Sequence, residues 1–395
     1  MAEHIGGRVR VWRRRRGLSQ RTLAGLAGLS QAYVSQIEAG LRGVERRSTL
    51  VALATALSVS VADLLGQSGD PTDPVRVKAS ETVAAIRVAL VELEAGDIRP
   101  PRRDRDQMAA AVEHAMELRR NSEYLVLAPM LPDLLRDAAG HPGTEALTRI
   151  AYEASVTLRN LGYRDLSWPA ARICVNAARE LDDPAWVGAA DFVYTLSLPV
   201  EAAQVARKVG ERSLVDLQAA AANPNGRQML GQVHLSSALA SAVAKRTADV
   251  EDHIAEAAKE ARTLGDPDGP GFNLSFFGPT NVRLWKMSIR TELGEYAKVI
   301  ELADGLRADG LPVANRRQSY YMSLGRALAH SGKRDKEALV ALARAERAAP
   351  APFRLNPITR DAVSTMIRRA QRRSVAEDVL SMARRLGIAP TYSAE

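Results

Sequence analysis

Gln31, Ser35 and Gln36 lie close together in a chain of 395 residues, at a spacing that keeps them off the stripe formed by Val34 and Ile37 on the same helix. Their side chains donate and accept hydrogen bonds without carrying charge. That chemistry suits the edges of DNA bases, and a glutamine carboxamide matches the N6/N7 pair of adenine. A helix face that meets only solvent more often carries Glu and Lys. Residues placed for catalysis are missing by comparison. GVERR and GDPDGPG lack the Lys-Ser/Thr ending of a phosphate loop, and no GxSxG elbow occurs. The histidines at 4, 114, 141, 234, 253 and 330 have neither HExxH nor paired-ligand spacing. Cys174 is the single cysteine, so neither an intrachain disulfide nor a cysteine-based zinc site can close. The sequence predicts no enzyme, no metal and no cofactor.

Two short helices must hold the polar residues, and residues 20–40, QRTLAGLAGLSQAYVSQIEAG, encode both. Leu23, Ala24 and Ala27 form the apolar stripe of the first helix, and Val34 and Ile37 that of the second. Gly28 stands between them, where a sharp turn needs φ > 0 without a side-chain clash. Ser19 and Ser30 are placed as N-caps, with Leu18 and Leu29 ahead of them to staple onto Leu23 and Val34. Ala24 is small where the helices cross closely. The pattern predicts a helix-turn-helix in preference to an ordinary helical hairpin.

On these residues the segment resembles the phage-repressor-like, or Xre-type, DNA-binding domain. The resemblance covers residues 5–66, including RRRRGLSQ before the motif and STLVALATALSVSVADLLG after it. It implies a lambda-repressor-like domain of five helices, with a second helix starting at Gln20 and a recognition helix over residues 30–39. It places Gln31, Ala32, Ser35 and Gln36 against bases, with Tyr33 nearby, and Gln20 at a phosphate. Ala32 cannot make the polar contact some members make there, which shifts readout toward a thymine methyl or Tyr33. Arg13 and Glu38 fall where the family pairs two side chains, so they are expected to form a structural salt bridge.

Charge supports the same reading independently. Residues 1–66 hold ten Arg against four acidic residues, a net of +6 out of +8 for the whole chain. The basic character therefore sits where phosphates would be met. Arg14, Arg15 and Arg16, with Arg42, Arg46 and Arg47 after the recognition helix, are the expected phosphate contacts, which position a domain without reading sequence. Arg outnumbers Lys by 46 to 8, a bias of GC-rich genomes that points to an actinobacterial source. No secretory signal pattern opens the chain. The uncharged, largely apolar stretch of residues 48–62 falls short of the ~20 apolar residues of a membrane span. Domain core explains it better, with Ser60 capping a last helix and Asp63 at its N3 position. A soluble, cytoplasmic protein without membrane contact is expected.

Residues 67–80 form a linker with prolines and mixed polar residues, and the chain beyond it is helical almost throughout. Helix pairs are expected at 144–161 with 165–181, 184–198 with 201–221, and 227–244 with 250–264. Later pairs are 280–293 with 296–308, 316–330 with 336–348, and 357–369 with 375–386. A repeat of about 35 to 45 residues belongs to helical-hairpin solenoids. LGEYAKVIELAD and ALAHSGKRDKEALVALARAERAAP resemble tetratricopeptide repeats, and LRNLGYRDLSWPAA does so more loosely. The whole resembles actinobacterial regulators that join an Xre-type domain to a tetratricopeptide-like sensor, here over residues 81–390. That resemblance implies an all-α chain, a homodimer on an inverted-repeat operator in double-stranded DNA, and a peptide or small signalling molecule as effector.

Residues 265–278 break the helical rhythm and carry Phe272, Phe276 and Phe277, three of the chain's five phenylalanines. They either close over a groove ligand, with Asn281, Trp285 and Tyr320 as further contacts, or plug the gap left by a long loop. Arg368, Arg369, Arg372 and Arg373 read as a solvated end face, with an auxiliary DNA or dimer contact as the alternative. The sequence reads as that of a one-component transcription regulator. The alternative makes the repeats a protein-interaction scaffold, with regulation by a protein partner in an antitoxin-like or anti-repressor system.

Overall fold

The computed structural model describes residues 4–66, 74–370, 377–386 and 388. Among them every regular element is helical, so the chain is all-α. It divides into two compact units, one of residues 1–73, 287–311 and 316–395, the other of residues 74–286 and 312–315. No helix among the described residues is long and apolar enough to cross a membrane.

The first unit opens with five helices: α1 (Ile5–Arg15), α2 (Gln20–Ala27), α3 (Gln31–Glu38), α4 (Arg47–Leu57) and α5 (Val61–Leu65). Three of their starts are fixed by serine. Ser19 Oγ accepts from Thr22 N at 3.0 Å and Ser30 Oγ from Tyr33 N at 3.2 Å. Ser60 and Asp63 exchange hydrogen bonds as a full capping box. Between α2 and α3, Gly28 adopts φ 64°, and its N–H together with that of Leu29 closes on the α2 carbonyls. Leu23, Val34, Ile37, Leu53 and Leu64 are fully buried beneath these helices. Removing the apolar area of one such leucine from water stabilises the domain by about 1.5–3 kcal/mol.

The same unit contains Tyr296–Ala303, Asp335–Ala348, Pro350–Leu355, Pro357–Ala370 and Glu377–Arg385, with most of Ala314–His330 and the end of Pro279–Leu293. The short helix Pro350–Leu355 is not expected from the sequence. It packs against Asp335–Ala348 and Pro357–Ala370 and buries Phe353.

The second unit starts with Pro74–Glu94, so helix begins within the segment read as linker. Residues 67–73 of that linker lie outside the described residues. Helical hairpins follow: Arg105–Arg120 with Leu131–Ala139, Ala146–Asn160 with Arg164–Arg179, Pro184–Ser197 with Ala203–Ala220, and Pro224–Val243 with Thr247–Leu264. From Ala146 onward, the first helices of successive hairpins also pack on one another. That is the stacking a solenoid requires, because a single hairpin cannot bury its apolar face alone.

Candidate nucleic-acid interface

Helix α3 presents two chemically different sides. Val34 and Ile37 are fully buried, whereas Gln31, Ala32, Ser35 and Gln36 are exposed and Tyr33 is half-buried. Four of the five residues expected at bases therefore share the open side of one helix. Its two amides and one hydroxyl can bond to the edges of base pairs, and Ala32 Cβ can meet a thymine methyl.

The buried Glu38 fixes this helix against α1. Arg13 grips it with two parallel bonds, Nε to Oε1 at 2.6 Å and Nη2 to Oε2 at 2.8 Å. The expected Arg13–Glu38 bridge is thus present as a bidentate pair. Gln20, expected at a phosphate, donates its amide nitrogen to the same carboxylate at 2.9 Å. It braces α2 against α3.

The loop after α3 departs further from expectation. Arg42, Arg46 and Arg47, expected at phosphates from their position after the recognition helix, face the later helices within this unit. Arg42 lies over the Tyr33 ring at 4.7 Å and donates to His330 Nε2 at 3.1 Å. His330 Nδ1 in turn donates to Glu45 Oε2 at 2.7 Å. The His330 ring stacks on Tyr296 at 3.9 Å. Arg47 pairs with Glu292 at 3.9 Å, the same carboxylate that accepts from Ser48 N at 2.9 Å. Arg46 is half-buried beside Gly294. Burial opposes charge on Glu45, yet its carboxyl is held below the usual range by His330, Tyr296 and Arg326.

The buried Asp361 completes this docking. Its two oxygens accept from Ile5 N at 2.9 Å and Val44 N at 2.8 Å, joining the start of α1 and the α3–α4 loop to Pro357–Ala370. Arg368 Nη2 donates to His4 Nδ1 at 2.8 Å. Burial, then Arg368 and Arg8, push His4 down to about 4, so it is the neutral acceptor this contact needs. Arg369 donates to Ala329 O at 2.8 Å and Asp335 Oδ1 at 2.9 Å. Arg368 and Arg369 are therefore internal braces and not a solvated end face, while Arg372 and Arg373 lie outside the described residues. Exposed cations remain elsewhere on the five-helix head: Arg10, Arg14 and Arg15 on α1, Arg16 just after it and Arg21 in the first turn of α2.

The four residues expected to contact an effector have partners within the protein in this structure. Phe277 is fully buried with Leu235, Ala257 and Val282, and a Cβ at Gly231 would lie 1.9 Å from its ring. Asn281, also buried, donates to Ser275 O at 3.2 Å. Trp285 packs on that cluster and meets Phe192 edge-on at 5.9 Å. Tyr320 belongs to the first unit, where its hydroxyl donates to Ala303 O at 3.0 Å. The aromatic concentration marks a plug. Sequence reasoning missed Gln228, Gln232 and Arg119, which nothing in their local contexts, GRQMLGQVH and MELRRNSE, sets apart.

Comparison with known proteins agrees with the geometry of the head. No curated protein matches the chain. One solved structure is similar at 15% identity and a TM-score of 0.31, over 73% of this chain and 99% of the other: Bacillus thuringiensis PlcR in complex with the peptide PapR7 and DNA. Residues 4–65, which make up the five-helix head, match the helix-turn-helix domain family.

Proposed function

We propose that the protein is a one-component transcription regulator that reads a specific operator through the open face of α3. The observation that carries this reading is the pairing of exposed Gln31, Ser35 and Gln36 with the buried Val34 and Ile37 on one short, serine-capped helix. The hairpin stack of the second unit acts as the effector-sensing part, its ligand a peptide or small signalling molecule. A homodimer on an inverted repeat fits, because one helix-turn-helix reads only a few base pairs. Pro74–Glu94 supplies a surface for a second copy. Ala84, Val88 and Val91 stand exposed at spacings of four and three, with Val88 at 52% and Val91 at 59% exposure.

Selection from randomised duplex DNA tests the reading. The full chain should enrich an inverted repeat with half-sites ~10 base pairs apart. The Val88→Asp/Val91→Asp variant should sediment as a monomer and retain only half-site affinity. Failure to enrich any sequence would overturn the assignment, and an unchanged dimer would move the interface elsewhere.

The phosphate contacts fall to the exposed arginines of α1. Arg14→Ala and Arg15→Ala should each weaken binding on all sequences and reduce the slope of log K against log salt by about 0.9 per lost contact. Arg47→Ala should leave that slope unchanged, since its partner is Glu292. The opposite ranking in a salt titration would restore the α3–α4 loop to the DNA.

A further inference from the structure

Phe272–Ser275 sits in the second unit the way a bound peptide sits in a receptor. Its backbone is held by side chains from separate helices. Gln228 Oε1 accepts from Phe272 N at 3.0 Å and from Ser275 Oγ at 2.6 Å. Gln232 Nε2 and Asn281 Nδ2 both donate to Ser275 O, at 3.1 and 3.2 Å. Arg119 Nη2 donates to both oxygens of Asn273 at 3.1 Å. The Phe272 ring packs on Trp186 with centroids 4.6 Å apart. Arg119 is itself fixed by the fully buried Glu153 at 2.8 Å. Main-chain groups met by converging amides and a guanidinium, with one aromatic seat, form a site built for peptide.

The segment is a strained occupant. Asn273, Leu274 and Phe276 take φ of 46°, 56° and 43°, left-handed values that L residues rarely adopt. Such conformations persist only where the surroundings over-determine them. The site is also incompletely satisfied by it, because buried Gln232 Oε1 has no hydrogen-bond partner among the described residues. The segment's two ends are secured independently: Phe277 is locked in the core, and Asp266 holds Thr280 by bonds of 2.8 and 2.7 Å. The tip can therefore leave without unfolding its anchors.

We infer that Phe272–Ser275 is an intramolecular stand-in for the effector, and that the ligand displacing it is a short peptide with an aromatic residue next to a polar one. This rests on reading the repeat unit as a sensor. A self-occupied site lowers apparent affinity by the fraction of time it is open, so the segment sets the concentration at which a peptide is sensed.

The test uses the segment's own sequence, acetyl-GFNLSF-amide, in calorimetry against the full chain. The Phe272→Ala/Ser275→Ala variant, whose tip is loosened, should bind this peptide about 10-fold more tightly than wild type. Adding Gln232→Ala should abolish the gain. No binding by a loosened variant that melts as wild type does would overturn the proposal, as would equal binding with and without Gln232→Ala. Should the double variant fail to fold, hydrogen exchange on Gln228→Ala decides. Faster exchange confined to residues 270–276 supports a displaceable tip, and unchanged exchange overturns it. Peptide binding without any change in operator affinity would leave the site standing and remove the sensor reading.

Discussion

Replacing Asp361 by alanine should destabilise the unit that carries the recognition helix by roughly 2–5 kcal/mol, since each buried N–H left without an acceptor costs ~1–3 kcal/mol. Both orphans belong to the five-helix head, Ile5 N at the start of α1 and Val44 N in the α3–α4 loop. Asparagine restores one acceptor but turns an NH2 group toward the second N–H, so its penalty should approach that of alanine. The effect also depends on pH. Burial pushes the Asp361 carboxyl up to about 6, against the pull of Val44 N, Ile5 N and Arg8. The folded state then holds this proton more tightly than the unfolded state, whose value is near 3.8. The stability contributed by Asp361 is greatest below that value and falls as pH rises to about 6. Alanine has no such dependence, so urea titrations should show a larger penalty at pH 5 than at pH 7. A loss under about 1 kcal/mol, or the reverse pH order, would show that the head is not held through Asp361.

Gln31→Ala and Gln36→Ala should each weaken binding to the selected operator by about 1–3 kcal/mol, the value of one good amide–base pairing. Affinity for random duplex should be unchanged, because phosphate contacts supply nearly all non-specific binding. Both side chains are exposed and neither is part of the Val34/Ile37 packing, so the fold should melt as wild type does. Equal losses on operator and random DNA would make them general contacts and not readers.

The parts of this molecule legible in its sequence are those written locally. Ser19, Ser30 and Ser60 cap helices within three residues of themselves, Gly28 takes the left-handed turn, and the paired periodicity recovers the hairpins from Ala146 onward but not Arg105–Arg120 with Leu131–Ala139. The family pattern adds Arg13 and Glu38, which meet across 25 residues. What stayed hidden depends on partners far along the chain. Val44 meets Asp361 across 317 positions and Ser48 meets Glu292 across 244, and no periodicity encodes such pairings. Arg42 and Arg47 have their partners, His330 and Glu292, far along the chain. A cation after a recognition helix suits a phosphate equally well until His330 and Glu292 are seen beside it. The aromatic run at 272–277 was visible as an interruption, but whether it lines a groove or fills one turns on Gly231 and Gln228, both unremarkable in sequence.

Base reading by α3 can be tested by a coupling measurement. The affinity of wild type and of Gln36→Ala is measured on the selected operator and on operators changed one base pair at a time. If Gln36 reads a base, one substitution should cost wild type about 1–3 kcal/mol and cost Gln36→Ala almost nothing, while the other positions cost both proteins alike. Identical penalties for the two proteins at every position, repeated with Gln31→Ala, would mean that the sequence is read elsewhere, and the account would fail.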